Sequence, residues 1–152
     1  MRVRTVFLPI CVLTVAGFLA GCEPQDRRPG LWLSGELQPA AADWRFTNDY
    51  PEVALQVVTP YLLPHSITIV CAADADALYI GARDPASKNW PNWVDQDPDV
   101  ILKVGEHRYE LRAEPIAEAD LAPVRAAYAA KYGARPQTGD GPPIRYWRLV
   151  AR

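Results

Sequence analysis

The chain has 152 residues, with 16 basic against 18 acidic side chains for a formal charge of −2, and 49% of it is apolar. That is enough material for the core of one domain, and a slightly acidic chain offers nucleic acid no electrostatic footprint. It holds two histidines and three cysteines, with no Cys-x-x-Cys or His-x-x-x-His spacing, which excludes the common zinc frameworks.

At the N-terminus, Arg2 and Arg4 precede an apolar run from Val6 to Leu19 that ends Leu19-Ala20-Gly21-Cys22. The run is shorter than the roughly 20 residues of a membrane-spanning helix, and Pro9 sits within it. Its end resembles the lipobox of bacterial lipoproteins. That resemblance implies a signal peptide over residues 1–21, cleavage before Cys22, and a Cys22 that carries diacylglyceryl and N-acyl chains into a lipid bilayer. Asp after the lipid cysteine is associated with inner-membrane retention in enterobacterial lipoproteins. Glu23 therefore implies the outer membrane, with the domain facing the periplasm. Loss of the leader leaves 14 basic against 18 acidic residues and a net charge of −4. With Cys22 consumed by lipid, Cys71 has no partner for an intrachain disulfide.

Residues 22–30 contain two prolines and no apolar side chain after Cys22, which predicts a lipidated tether ahead of one domain over 31–152. Leu31-Trp32-Leu33 and Val53 to Thr59 predict strands, the second stopped by Pro60, with Asp43-Trp44-Arg45-Phe46 unassigned between them. Ser66 to Ala72 and Leu78 to Ala82 flank Asp74-Ala75-Asp76, the pattern of a hairpin with an acidic turn. A second hairpin runs from Val100 to Val104 and turns at Gly105-Glu106. Its long return strand alternates His107, Tyr109, Leu111 and Ala113 against Arg108, Glu110, Arg112 and Glu114. Asn89 and Pro91 open a short helix bearing Trp90, Trp93 and Val94, ended by Pro98. A second helix over Leu121 to Tyr132 has Asp120 as its cap and Leu121, Val124, Tyr128 and Tyr132 as its stripe, and stops at Gly133. Ile144 to Val150 reads as the last strand. The fold class expected is mainly β with minor α: a small antiparallel barrel with the short Trp-bearing helix and one helix from the C-terminal half.

The succession of a hairpin, Arg83-Asp84-Pro85-Ala86-Ser87-Lys88, a Trp-bearing helix, Asp97-Pro98-Asp99-Val100, a hairpin, and the Ala127-Tyr128 to Lys131-Tyr132-Gly133 helix end resembles the flavin-binding split β-barrel superfamily. That group includes pyridoxamine 5'-phosphate oxidase and the deazaflavin-dependent nitroreductases. The likeness runs from about Ser66 to Arg152 and is strongest from Leu78 to Ile116. It implies a flavin mononucleotide or deazaflavin cofactor, a phosphate site at Arg83, Ser87 and Lys88, and a homodimer across whose interface such sites often lie. One departure stands out, since Leu63-Pro64-His65-Ser66-Ile67-Thr68 leads into the first hairpin with no arginine or lysine where members usually carry a basic residue.

Two classes of function stay open: an envelope flavin- or deazaflavin-dependent reductase, and a non-catalytic envelope lipoprotein that uses the barrel to bind a small ligand or protein partner. Arg83 and Lys88 suit a phosphate dianion, one as a planar fork and one as a point charge, yet Ser87 equally suits a local turn. Trp90 and Trp93 suit either a ring-stacking wall or core anchors. Cys71 reads as a small buried hydrophobe, and His107 as a core or rim residue. Asp95, Asp97 and Asp99 lack the glycine and glutamate of a calcium loop and read as a helix-to-strand turn, so no metal site is expected. No residue pattern designates a catalytic group.

Overall fold

The computed structural model describes residues 26–133 and 141–152; the lipobox-like segment and Cys22 lie outside the described residues. Among the described residues are eight strands in one sheet and two α-helices. The strands are β1 (Glu36–Gln38), β2 (Val53–Val58), β3 (Pro64–Ile69), β4 (Cys71–Ala73), β5 (Leu78–Arg83), β6 (Asp99–Val104), β7 (His107–Pro115) and β8 (Ile144–Ala151). The helices are α1 (Trp90–Gln96) and α2 (Leu121–Tyr132).

Hydrogen bonding runs in the order β3-β2-β6-β7-β8-β5-β4, antiparallel at every step, and β1 adds to β7 in parallel. The two ends of that path, β3 and β4, are consecutive in the chain and separated only by Val70. The sheet thus curls until its first and last strands are successive pieces of one extended run. This is the antiparallel split barrel with minor helix that the sequence predicts.

Two strand assignments differ from the sequence reading. Leu31-Trp32-Leu33 forms no strand; the first strand is β1, a few residues later. The run Ser66 to Ala72, uniform in β-forming residues, is divided at Val70 because its halves pair with different partners, β3 with β2 and β4 with β5. Local propensity carries no record of that change of partner.

The barrel interior is filled by alternate residues of each strand, among them Leu55, Val57, Leu78, Ile80, Leu102, Leu111 and Trp147. On β7, Tyr109, Leu111 and Ala113 point in while Glu110, Arg112 and Glu114 stay exposed, as the alternation predicts, although His107 at the strand's start is exposed rather than inward. A second core lies outside the barrel, where Leu121, Val124 and Ala127 of α2 cover Ala72, Tyr79 and Tyr146. Tyr128 is partly buried there, and its hydroxyl donates to the carbonyls of Val70 at 3.2 Å and Tyr79 at 3.4 Å. β5 is therefore covered on both faces, and outward-facing Gly81 is needed there. A Cβ at that position would meet the Tyr146 ring at 2.9 Å.

The segment ahead of β1 is fastened to the barrel from Asp26 onward. The Asp26 carboxylate accepts hydrogen bonds from the Lys103 ammonium and from the Ser34 amide and hydroxyl. Gly30 and Ser66 exchange backbone hydrogen bonds of 2.9 and 2.8 Å, and the Leu33 amide donates to Gln56 Oε1 at 2.8 Å. Residues 26–34 form a strap across β3, β2 and β6, beneath which Ser66, Leu33 and most of Lys103 are buried.

Candidate functional site

The division at Val70 opens a recess in the barrel wall. Continuing the β4–β5 register beyond Cys71↔Ile80 would set Val70 opposite Gly81, Ile69 opposite Ala82 and Thr68 opposite Arg83. No pairing is made at those positions. The same six residues line a recess of about 210 Å³ together with Glu52, Lys88 and Trp90. The seam that leaves the barrel split is thus the seam that opens the recess.

Each residue proposed for the phosphate site and its aromatic wall lies among the described residues. Arg83 ends β5 and is exposed at the recess. Asp84 follows in the left-handed region at φ 50°, which turns the chain sharply into Pro85–Ser87. That turn brings Lys88 back beside Arg83, and the Lys88 ammonium donates to the Arg83 carbonyl. Neither cation pairs with a carboxylate among the described residues, Asp84 included. Ser87 does not line the recess; its hydroxyl donates to the Asp84 carbonyl at 2.8 Å, an internal bond of the turn.

Trp90 lines the recess but is itself largely buried. It is 7% exposed and lies against Trp147, with ring centroids 5.2 Å apart. Trp93 sits outside the recess, edge-on to His65 at 5.2 Å. α1 is held in place by Asp95, which takes a bidentate bridge of 2.6 Å and 2.6 Å from Arg145 on β8. The neighbouring Asp99 is matched by Arg112 at 3.0 Å and Arg152 at 3.5 Å. These aspartates fasten the helix-to-strand turn to the sheet.

Cys71 is wholly buried, and burial pushes its thiol pKa up, against the pull of the Lys131 ammonium 3.7 Å from its sulfur. That ammonium is occupied by the carbonyls of Cys71 at 2.7 Å and Thr47 at 3.0 Å. A buried thiol held protonated is a packing group and a poor nucleophile.

The structure therefore gathers Arg83, Lys88 and Trp90, and disperses Ser87 and Trp93. Sequence reasoning missed Glu52, Thr68, Ile69, Val70, Gly81 and Ala82, whose role comes from strand pairing. The one local signal was Gly81, a glycine inside a strand pattern, which marks close approach of another group. Two cations against one carboxylate, Glu52, on a mainly apolar wall leave a net positive site that can hold the anionic end of a ligand whose remainder is apolar.

No family model matches the chain, and neither does any curated protein. Solved structures do. The protein Atu2129 of unknown function from Agrobacterium tumefaciens superposes with a TM-score of 0.55 at 17% identity, over 66% of this chain and 48% of that one. A candidate pyridoxamine 5'-phosphate oxidase from Listeria innocua gives 0.53 at 14% identity, over 70% of this chain and 87% of that one. A FAD-binding protein from Mesorhizobium loti gives 0.50 at 14% identity, over 69% and 82%. The chain spans about half the length of the Agrobacterium protein. At these identities the likeness establishes architecture: the fold is the split β-barrel seen in pyridoxamine 5'-phosphate oxidase-like proteins.

Proposed function

We propose that the chain is an envelope lipoprotein, anchored through an acylated Cys22, whose split barrel holds a flavin-type nucleotide by its phosphate between Arg83 and Lys88. The observation that carries this reading is the pair of cations at the seam with no carboxylate partner among the described residues. The Mesorhizobium protein, described as FAD-binding, and the Listeria protein, described as a candidate pyridoxamine 5'-phosphate oxidase, support it through their shared fold.

The donors present suit the phosphate end of flavin mononucleotide or a phosphorylated deazaflavin. Arg83 supplies a fork and Lys88 a point charge, and the Lys88–Arg83 carbonyl bond holds the two near each other. The recess of about 210 Å³ is smaller than the roughly 300–1,000 Å³ of sites that enclose a whole ligand. It would hold the phosphate and its adjoining chain, and the remainder of the nucleotide would need surface outside the recess. When bound, the flavin would supply the electron transfer of a reductase. The chain's own residues bind and orient it.

Loss of a charge-assisted contact costs about 1.5–3 kcal/mol, so Lys88→Ala is expected to weaken flavin mononucleotide binding on the order of tenfold to a hundredfold. Fluorescence-quenching titrations of wild type and variant measure this, and equal affinities would remove Lys88 from the site. A second reading, a non-catalytic lipoprotein binding a smaller phosphorylated ligand, is favoured by the burial of Trp90, which leaves only 7% of that residue exposed. Protein that is colourless as purified and takes up no added flavin would establish that reading over the first. For the anchor, Cys22→Ser is expected to move the protein from the membrane fraction or leave its leader uncleaved. Unchanged processing and fractionation would refute the lipoprotein assignment.

A further inference from the structure

Resting on the lipoprotein reading, we infer that the strap over the β2–β3 hairpin and the turn of that hairpin form a bilayer-docking surface, with Trp32 and Tyr61-Leu62-Leu63 entering the headgroup region. Leu62 is 83% exposed, Tyr61 65% and Trp32 51%. Leu31 and Leu63 are exposed as well.

The two groups share one hairpin. The strap is bonded to β3 at Gly30 and Ser66, Leu31 and Trp32 follow Gly30 directly, and Leu63 is three residues from Ser66. The Cα atoms of Leu31 and Leu63 are therefore within about 20 Å of each other. The turn is not loose. Thr59 fastens it, its hydroxyl donating to the Leu63 carbonyl at 2.8 Å while its own carbonyl accepts the Leu62 amide at 2.8 Å. This closed turn holds Leu62 at φ 62°, a left-handed conformation that a leucine adopts only under constraint. An ordered turn that aims apolar side chains outward calls for an apolar neighbour.

The length and course of the chain identify that neighbour as a bilayer. Asp26 is fixed to Lys103 and Ser34, so only four Cα steps separate the barrel surface from Cys22. Fully extended, they span no more than about 15 Å. An acylated Cys22 would then hold the strap face close to the membrane. Trp and Tyr favour the membrane interface, and exposed Arg27 and Arg28, with no carboxylate partner among the described residues, suit anionic headgroups.

Of the five tryptophans, only Trp32 is exposed, which makes it a reporter. The test uses the full gene product, purified in detergent and reconstituted into vesicles of mixed zwitterionic and anionic phospholipid, with and without bromine near the headgroup end of the acyl chains. Mass spectrometry first establishes whether Cys22 is acylated. The expected result is acylated protein whose tryptophan emission is quenched by brominated lipid. The quenching should disappear in Trp32→Phe and fall in Leu62→Ser/Leu63→Ser, two exposed sites whose change leaves the melting temperature in place. Acylated protein with equal emission in both vesicle types overturns the docking surface while leaving the anchor standing. Unacylated Cys22 overturns the lipoprotein reading and the inference with it. Cross-linking of Trp32 faces between copies, with no lipid quenching, would assign the surface to a second copy instead.

Discussion

Trp147→Ala is expected to destabilise the domain by about 3–5 kcal/mol, the range for truncating a large aromatic in a core. Trp147 sits on β8 with no exposed surface, among the side chains that fill the barrel. Its ring lies 5.2 Å from that of Trp90, and the Arg145 guanidinium stands over it at 4.8 Å. Removing it opens a cavity beneath α1 and takes the support from both neighbours. Against a total stability of about 5–15 kcal/mol, the loss should lower the melting temperature by on the order of 10–20 °C. Trp147→Phe should cost much less. The indole Nε1 is buried with no hydrogen-bond partner, so the smaller ring sheds an unsatisfied donor along with some volume. Thermal melts of both variants decide the matter, and equal losses from the two would show that the site cannot relax around a phenyl ring. Because Trp90 borders the recess, the Ala variant should also weaken any ligand held there.

What the sequence discloses here depends on how far apart the interacting residues lie. The β6–β7 hairpin and α2 were legible because their signals are local: an alternation that buries Tyr109, Leu111 and Ala113, and a stripe that buries Leu121 and Val124. The strap was not legible. Residues 26–30 are polar and proline-bearing, which locally means linker, and what orders them is Lys103, seventy-seven positions from Asp26. The same holds for the recess. Arg83 and Lys88 could be picked out as cations in one turn, but the wall of Thr68, Ile69 and Val70 exists only because the run through Val70 changes partner. Ser87 and Trp93 were plausible by type and spacing. The structure engages Ser87 within its turn and Trp93 with His65, and neither contact leaves a mark in the local sequence.

The strap is also where the stability of this protein should depend most on acid. Burial pushes the Asp26 carboxyl up, but hydrogen bonds from Lys103 and Ser34 outweigh it and hold the pKa down at about 2, against 3.8 for the free side chain. A depressed carboxyl contributes stability above its unfolded value, and that contribution is lost as pH falls through the folded one. For Asp26 the window lies between about 4 and 2, and linkage sets its size at no more than about 2 kcal/mol, since the side chain keeps 32% of its surface in water. Asp26→Ala at neutral pH should cost more, about 3 kcal/mol, because it strands an ammonium whose side chain is only 9% exposed with a single hydroxyl partner, Ser34 at 3.0 Å. The deficit relative to wild type should narrow below pH 3, where the wild-type carboxyl is itself being protonated. Denaturant titrations at neutral and acid pH measure both effects. Adding Lys103→Met to Asp26→Ala removes the stranded charge and should recover most of the loss. A double variant as unstable as the single would show that the strap is held by Gly30 and Leu33 rather than by the ion pair. Recovery would show that the pair matters mainly through the penalty for breaking it, which keeps the strap against the barrel.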